Sequence, residues 1–186
     1  ADSRAVFLAG YYGSKPAVWS SRDGGQTFRI RPTCDPSTGM AFPIDAWQIV
    51  DSVTLIIGSG NYGNAAVFTT TNCGFFYSAG IRLGNNDVTS LALSPDYTHD
   101  CGIAAADKDG WVYYSQNGED FTKLPSDASL PQFRGNIRVA FDPLFKENGI
   151  IYAVSDVSDG GIWRFHLDKS QEWVAIDVSL PAGSLM

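Results

Sequence analysis

Two carboxylates, Asp45 and Asp87, stand where acid–base chemistry would want them. Each directly precedes an apolar stretch that reads as a strand, so a fold that gathers strand starts would pair them for general acid/base work. The plainer reading is a polar cap on the start of a strand. Tyr11, Tyr12, Tyr62 and Asn64 lie in glycine-rich turns, with Lys15, Asn61, Asp107, Asp109, Asp156 and Asp159 in hairpins of the same kind. Aromatic rings beside amides and charges are what sugar recognition uses: a ring stacks on the sugar and polar groups bond its hydroxyls. Arg31, Arg82 and Arg134, with Asp35, fall in connections between successive units. All of these residue types also populate ordinary turns.

Metal chemistry finds little support. Cys34, Cys73 and Cys101 show no C-x-x-C spacing, and only His99 and His166 could join them, which argues against a zinc site. Asp107-Lys108-Asp109-Gly110 and Asp156-Val157-Ser158-Asp159-Gly160-Gly161 resemble pieces of calcium loops. Neither completes the EF-hand spacing, so both read as hairpin turns. No cofactor is expected.

The elements that position these residues repeat. An apolar–aromatic pair comes before a hydroxyl residue at Val18-Trp19-Ser20-Ser21, Val67-Phe68-Thr69-Thr70 and Val112-Tyr113-Tyr114-Ser115, with a weaker copy at Ile162-Trp163-Arg164-Phe165. The aromatic positions 19, 68, 113 and 163 lie 49, 45 and 50 residues apart, a period that suits a four-stranded propeller blade. Leu93-Ser94-Pro95-Asp96-Tyr97 likewise matches Phe141-Asp142-Pro143-Leu144-Phe145, and Asp100 matches Asn148.

Short apolar runs bounded by turn residues give the strands, lettered A (innermost) to D (outermost). The first unit reads as B 5–9, C 17–20 and D 27–31, with no A strand. The second reads as A 46–50, B 53–58, C 65–69 and D 75–78, and the third as 88–94, 102–106, 111–115 and 121–124. The fourth reads as 137–141, 150–155, 161–165 and 172–177. No stretch reads as a helix. The expected fold is all-β: a β-propeller of four-stranded antiparallel blades in one domain over 1–186, with units near 1–31, 44–80, 86–125 and 134–178. In such a fold the D–A and B–C loops share one face, the funnel, and the C–D and A–B loops share the other. The Pro181 and Gly183 tail suits a connecting loop better than a closing strand, so an excerpt of a larger propeller is the favoured expectation.

After the first C strand comes Ser21-Arg22-Asp23-Gly24-Gly25-Gln26-Thr27-Phe28. An Asp here accepts backbone N–H bonds inside the turn, and glycine supplies positive φ. The Ser21 and Thr27 hydroxyls tie the flanks, and the aromatic residue is expected to pack beneath. Thr70, Asn72 and Gly74 repeat the pattern in the second unit, and Ser115, Asn117 and Gly118 in a shorter third; the fourth keeps only Trp173. This pattern resembles the Asp box of the BNR-repeat, sialidase-like β-propellers, and the Ser94-Pro95-Asp96-Tyr97 element with Asp100 and its copy Asp142-Pro143-Leu144-Phe145 with Asn148 look most like bacterial cell-surface members. That family includes sialidases, xyloglucan-active glycosidases, receptor domains and a photosystem II assembly factor, so the resemblance specifies fold better than function. In the family the box sits at the blade periphery, which implies a structural role for these residues. Sialidase action would use an arginine cluster, for which Arg31, Arg82 and Arg134 are the candidates, plus a tyrosine nucleophile. Phe28-Arg29-Ile30-Arg31-Pro32 is similar to the sialidase F-R-I-P motif, but it carries an extra arginine and follows a box instead of preceding the first blade.

The chain of 186 residues has a net charge of −7, which disfavours nucleic acid as a partner. No apolar run approaches a membrane span. The expectation is therefore a non-catalytic, extracellular or cell-surface module, structural or binding, of surface-layer type among other forms. Its expected partners are other protein segments, copies of itself or glycans; the alternative is part of a glycoside hydrolase. Cys73 and Cys101 fall on the same face and are a disulfide candidate in an exported protein.

Overall fold

The structure, a computed structural model, describes residues 4–61, 63–157 and 161–176. Among these described residues, fifteen strands form four antiparallel sheets. The first sheet holds β1 (Val6–Tyr12), β2 (Lys15–Ser21) and β3 (Arg29–Pro32). The second holds β4 (Ala46–Ile49), β5 (Leu55–Asn61), β6 (Asn64–Thr70) and β7 (Ile81–Gly84). The third holds β8 (Val88–Leu93), β9 (Ile103–Asp107), β10 (Val112–Ser115) and β11 (Thr122–Lys123), and the fourth β12 (Ile137–Phe141), β13 (Ile150–Ser155), β14 (Ile162–His166) and β15 (Val174–Ala175). In each sheet the strands pair in chain order, so every sheet is an up-and-down blade. Among the described residues the first blade has three strands, at positions B, C and D.

Strand alternation builds the interior. Leu55 and Ile57 face a core shared with the first blade, together with Phe7, Val18, Phe42 and Phe68. Ile56, between them, faces the opposite core with Val88, Leu91 and Ala105. Ala104 and Ala106 then turn to a third core with Ile137, Ile151 and Phe165. One core therefore lies between each successive pair of blades, as period-2 side-chain direction requires. Strand β9 is covered on both faces and is buried at every residue, which is why it is apolar from Ile103 to Ala106 without alternation; only Asp107, at its end, is charged.

The innermost strands pack side by side. A Cβ on Gly58 would lie 2.5 Å from Val88 Cγ1, so glycine permits the approach of β5 to β8. The Gln48 side-chain amide donates to the Leu91 carbonyl (2.7 Å), and the Thr89 hydroxyl donates to the Ile137 carbonyl (2.9 Å). At the outer edge the Trp173 indole N–H donates to the Leu124 carbonyl (2.8 Å) and joins the third and fourth blades.

Three expectations are corrected. The outermost strand of the second blade is β7, not 75–78. Phe75 and Phe76 are exposed beyond the turn. Only Ser78 is tied to the sheet there, its amide donating to the Thr69 carbonyl (2.7 Å). The chain then crosses close above Phe68 at Gly80, where a Cβ would lie 2.7 Å from the ring, and pairs later through a bulge at Ala65/Ala66. Two single-turn helices also exist: α1 (Tyr97–Asp100) and α2 (Phe145–Asn148). They occupy the A–B connections and end at Cys101 and Gly149 in the left-handed region; four residues are too few to show a helical period. Finally, Phe28 packs on its turn only in part: it is 38% exposed, with its ring tip 3.9 Å from where a Cβ on Gly25 would lie.

Candidate functional site

Three strand starts converge at one end of the blades. Asp45 precedes β4, Asp87 precedes β8 and Asn136 precedes β12. With Lys108 from the β9–β10 hairpin, and with Thr89 and Arg138, they line a cavity of about 290 Å³. The two carboxylates singled out in the sequence are thus brought together, and both already have work in the fold. Asp45 accepts the Gly60 amide at 2.6 Å. Asp87 accepts the Lys108 ammonium at 2.8 Å. Burial pushes the Asp45 carboxyl above the usual carboxylate range, and the neighbouring Asp87 charge adds to this; the Gly60 amide and Lys108 pull it down. Gly60 itself admits no side chain, because a Cβ would fall 2.0 Å from Asp87 Oδ1.

The surrounding acids are similarly engaged. Asp156 accepts the Asn136 backbone amide (2.8 Å) and side-chain amide (2.6 Å), and these bonds lower its carboxyl below the usual range. Asp107 is fully buried and accepts the Tyr113 hydroxyl (2.9 Å) and the Trp111 amide (3.0 Å). Asp109 accepts the Asn86 side-chain amide (3.1 Å). Asp35 closes its own turn through the Ser37 amide and the Thr38 hydroxyl. Lys108, Asn136 and Arg138 were not singled out by sequence. The only available signal for Arg138 was a charge at the second position of an innermost strand; its guanidinium bonds the Thr89 carbonyl.

Tyr11 and Tyr12 stand at the tip of the β1–β2 hairpin, 66% and 60% exposed. Asn64 opens β6; Tyr62 and Asp159 lie outside the described residues. The arginines are not gathered into one funnel cluster. Arg134 is in the connection before β12, but Arg31 lies in β3 and Arg82 in β7, where short strands begin later or run further than the sequence pattern implied. Arg82 donates to the Asn85 side chain (2.7 Å), and Arg31 stacks over Phe75, 4.9 Å from the ring centroid.

At the opposite end, the Asp23 carboxylate accepts the amides of Gln26 (3.0 Å) and Thr27 (2.9 Å), the Thr27 hydroxyl (2.5 Å) and the Ser21 hydroxyl (2.7 Å). The Gly25 amide donates to Ser21. Led by the Thr27 hydroxyl, these donors hold the Asp23 carboxyl far below its usual range. Asn72 accepts the Phe76 amide and the Thr70 hydroxyl, while Thr70 accepts the Gly74 amide. Asn117 accepts the Ser115 hydroxyl and the amides of Glu119 and Asp120. Cys73 and Cys101, the disulfide candidates, are both free. Cys73 is buried in the core between the first two blades, whereas Cys101 is exposed at the end of α1 in the third.

Comparison of the fold with solved structures finds GH74 and sialidase enzymes and the protein YCF48. An ancestral GH74 enzyme superposes with a TM-score of 0.68 at 16% identity, over 98% of this chain and 25% of that one. The chain has a sialidase-like β-propeller fold. YCF48 bound to D1 peptide matches this propeller with a TM-score of 0.58 at 14% identity, over 92% of this chain and 48% of that one. A mutant NanB sialidase from Streptococcus pneumoniae matches at 0.54 and 13% identity, over 86% and 28%. The propeller therefore spans a quarter to about half the length of these neighbours. No family model and no curated protein matches the chain.

Proposed function

We propose that this propeller is a non-catalytic binding module on the cell exterior, built on Asp-box turns. The observation that carries this reading is the engagement of the convergent carboxylates. Asp45 is spent on the Gly60 amide, Asp87 on Lys108 and Asp156 on Asn136. A general acid needs a proton and a general base needs a free lone pair aimed at substrate; here each carboxylate commits an oxygen to a donor of the fold. The exposed Tyr11 and Tyr12 and the convergent polar groups offer contacts for a glycan or a protein partner instead. The YCF48 neighbour bound to D1 peptide is compatible with a propeller that works by binding. A surface-layer protein that binds copies of itself is one form of this role.

The test is retention of the full-length protein on immobilised sialosides and β-glucans, with released sugar assayed in the same column. Retention that Tyr11→Ala weakens, without release, supports the module. Release of sugar overturns it.

A second reading has one observation behind it. Asp45 and Asp87 share a cavity, and the first is held protonated to higher pH partly by the charge of the second. That is the electrostatic pattern of a glycosidase acid and its partner. Under this reading the propeller is part of a glycoside hydrolase.

A further inference from the structure

A second cavity, of about 460 Å³, opens at the periphery between the first two blades. Three guanidinium groups line it: Arg22 from the β2–β3 turn, and Arg29 and Arg31 from β3. Strand register explains the gathering. Arg31 lies opposite Val18 and Arg29 opposite Ser20. Val18 faces the core shared with the second blade, so alternation puts both arginines on that same face, beyond the core.

The charge in this groove is not balanced. Among the lining residues the only carboxylate is Asp23, which offsets one of the three guanidinium charges and has its lone pairs taken up by four bonds from its own turn. Arg22 reaches the Cys73 sulfur at 3.5 Å, and Arg31 reaches the Ile30 carbonyl at 3.4 Å and the Phe75 ring. Arg29 is exposed, and its guanidinium makes no hydrogen bond or ion pair among the described residues. From the other wall, Asn72 spends its oxygen on Thr70 and Phe76, which leaves its NH2 to donate. In a chain of net charge −7, the groove presents almost only donors, and its complement is a row of oxyanions.

We propose that this groove binds an extended acidic polypeptide segment whose carboxylates, at alternate positions, meet Arg29 and Arg31. Residues two apart on a strand are about 7 Å apart, and alternate side chains of an extended peptide repeat at that same distance. The guanidinium fork matches carboxylate geometry. Phe75 and Phe76 stand perpendicular, with centroids 4.6 Å apart. They form a ridge for apolar side chains and not a flat platform for a sugar ring. Recognition runs through side chains, because Pro32 lacks an amide hydrogen and Arg31 covers the Ile30 carbonyl at the β3 edge. This site is distinct from the Asp45–Asp87 cavity, so its failure leaves the binding-module reading intact, and the retention assay above does not bear on it.

The test uses the full-length protein and a fluorescent twelve-residue peptide of alternating Glu and Thr, followed by anisotropy at low and at physiological salt. The expected result is binding that weakens with salt and falls about tenfold in Arg29→Gln and in Arg31→Gln, the loss typical of one charged hydrogen-bonded pair. Lys169→Gln should leave it unchanged. Near-ultraviolet circular dichroism checks the fold; if Arg31→Gln disturbs it, Arg29→Gln alone decides, since that exposed side chain has no hydrogen bond or ion pair among the described residues to lose. No binding at low salt overturns the proposal. So does binding indifferent to both arginines, equal binding of a Lys–Thr peptide, or arginine-dependent binding of polygalacturonate without binding of the peptide.

Discussion

The Lys108 ammonium lies 2.8 Å from the Asp87 carboxylate, and the same lysine helps to set the charge of Asp45 across the cavity. Lys108 lowers the Asp45 carboxyl while Asp87 raises it. Removing the lysine therefore leaves two unscreened carboxylates. In Lys108→Met, the Asp45 carboxyl should titrate higher than in the parent, which carbon-detected NMR of the side-chain carboxyl reads directly. An unmoved titration would mean that the three groups are not coupled.

Asp45 also gives a pH dependence of stability. Burial raises its carboxyl in the folded state, so its protonated form favours folding. That contribution is complete below the unfolded value, about 3.9, and is lost as pH rises through the folded value. Asp45→Asn should therefore melt no lower than the parent at pH 7 and should lose the parent's advantage in mild acid. Paired thermal melts at pH 4 and pH 7 check this.

Asp23 runs the other way. The Thr27 hydroxyl and its companion donors depress its carboxyl, so its contribution is complete above about 3.9 and drains away as pH falls through the lower folded value. Asp23→Ala should lower the melting temperature at neutral pH. Asp23→Asn should lower it less, because Asn72 and Asn117 already close the equivalent turns through a carbonyl oxygen. It should also flatten the acid limb. Calorimetry of the two variants over pH 2–7 separates these outcomes.

The blade rhythm was legible because it rests on covalent order: an aromatic at 19, 68, 113 and 163, each on a third strand or its equivalent. What misled was local composition. Phe75-Phe76-Tyr77 has the residues of a strand, but the preceding turn, with Cys73 and Gly74 both at positive φ, leaves the two phenylalanines in solvent. The strand forms later, at residues with a weaker apolar signal. Lys108 and Arg138 were not legible as site residues because their partners are distant in sequence, Asp87 across the same blade and Thr89 in the neighbouring one, and single-chain spacing carries no such information. The Cys73–Cys101 pairing failed for the same reason. Sharing a face of the propeller says nothing about depth, and one cysteine is in a core while the other is in solvent.

Packing between blades should be the most sensitive feature of the fold. Phe42 comes from the connection between the first two blades and is fully buried, stacked on Phe68 at 3.8 Å. Phe42→Ala should cost about 3–5 kcal/mol, as the loss of a buried ring usually does. Gly58→Ala would force a methyl into Val88 and should cost about 1–3 kcal/mol through overpacking. Urea unfolding of both variants measures these losses, with the m-value checking that the transition remains cooperative.

The claim on which the account turns is that the carboxylates gathered at the strand starts serve the fold and not a reaction. Its most direct test is the turnover of sialosides and β-glucans by the full-length protein, measured beside Asp45→Asn and Asp87→Asn at pH 4–8. The account predicts no turnover above background in any of the three. Turnover by the parent protein that disappears in either variant would contradict it and would establish Asp45 and Asp87 as a glycosidase pair.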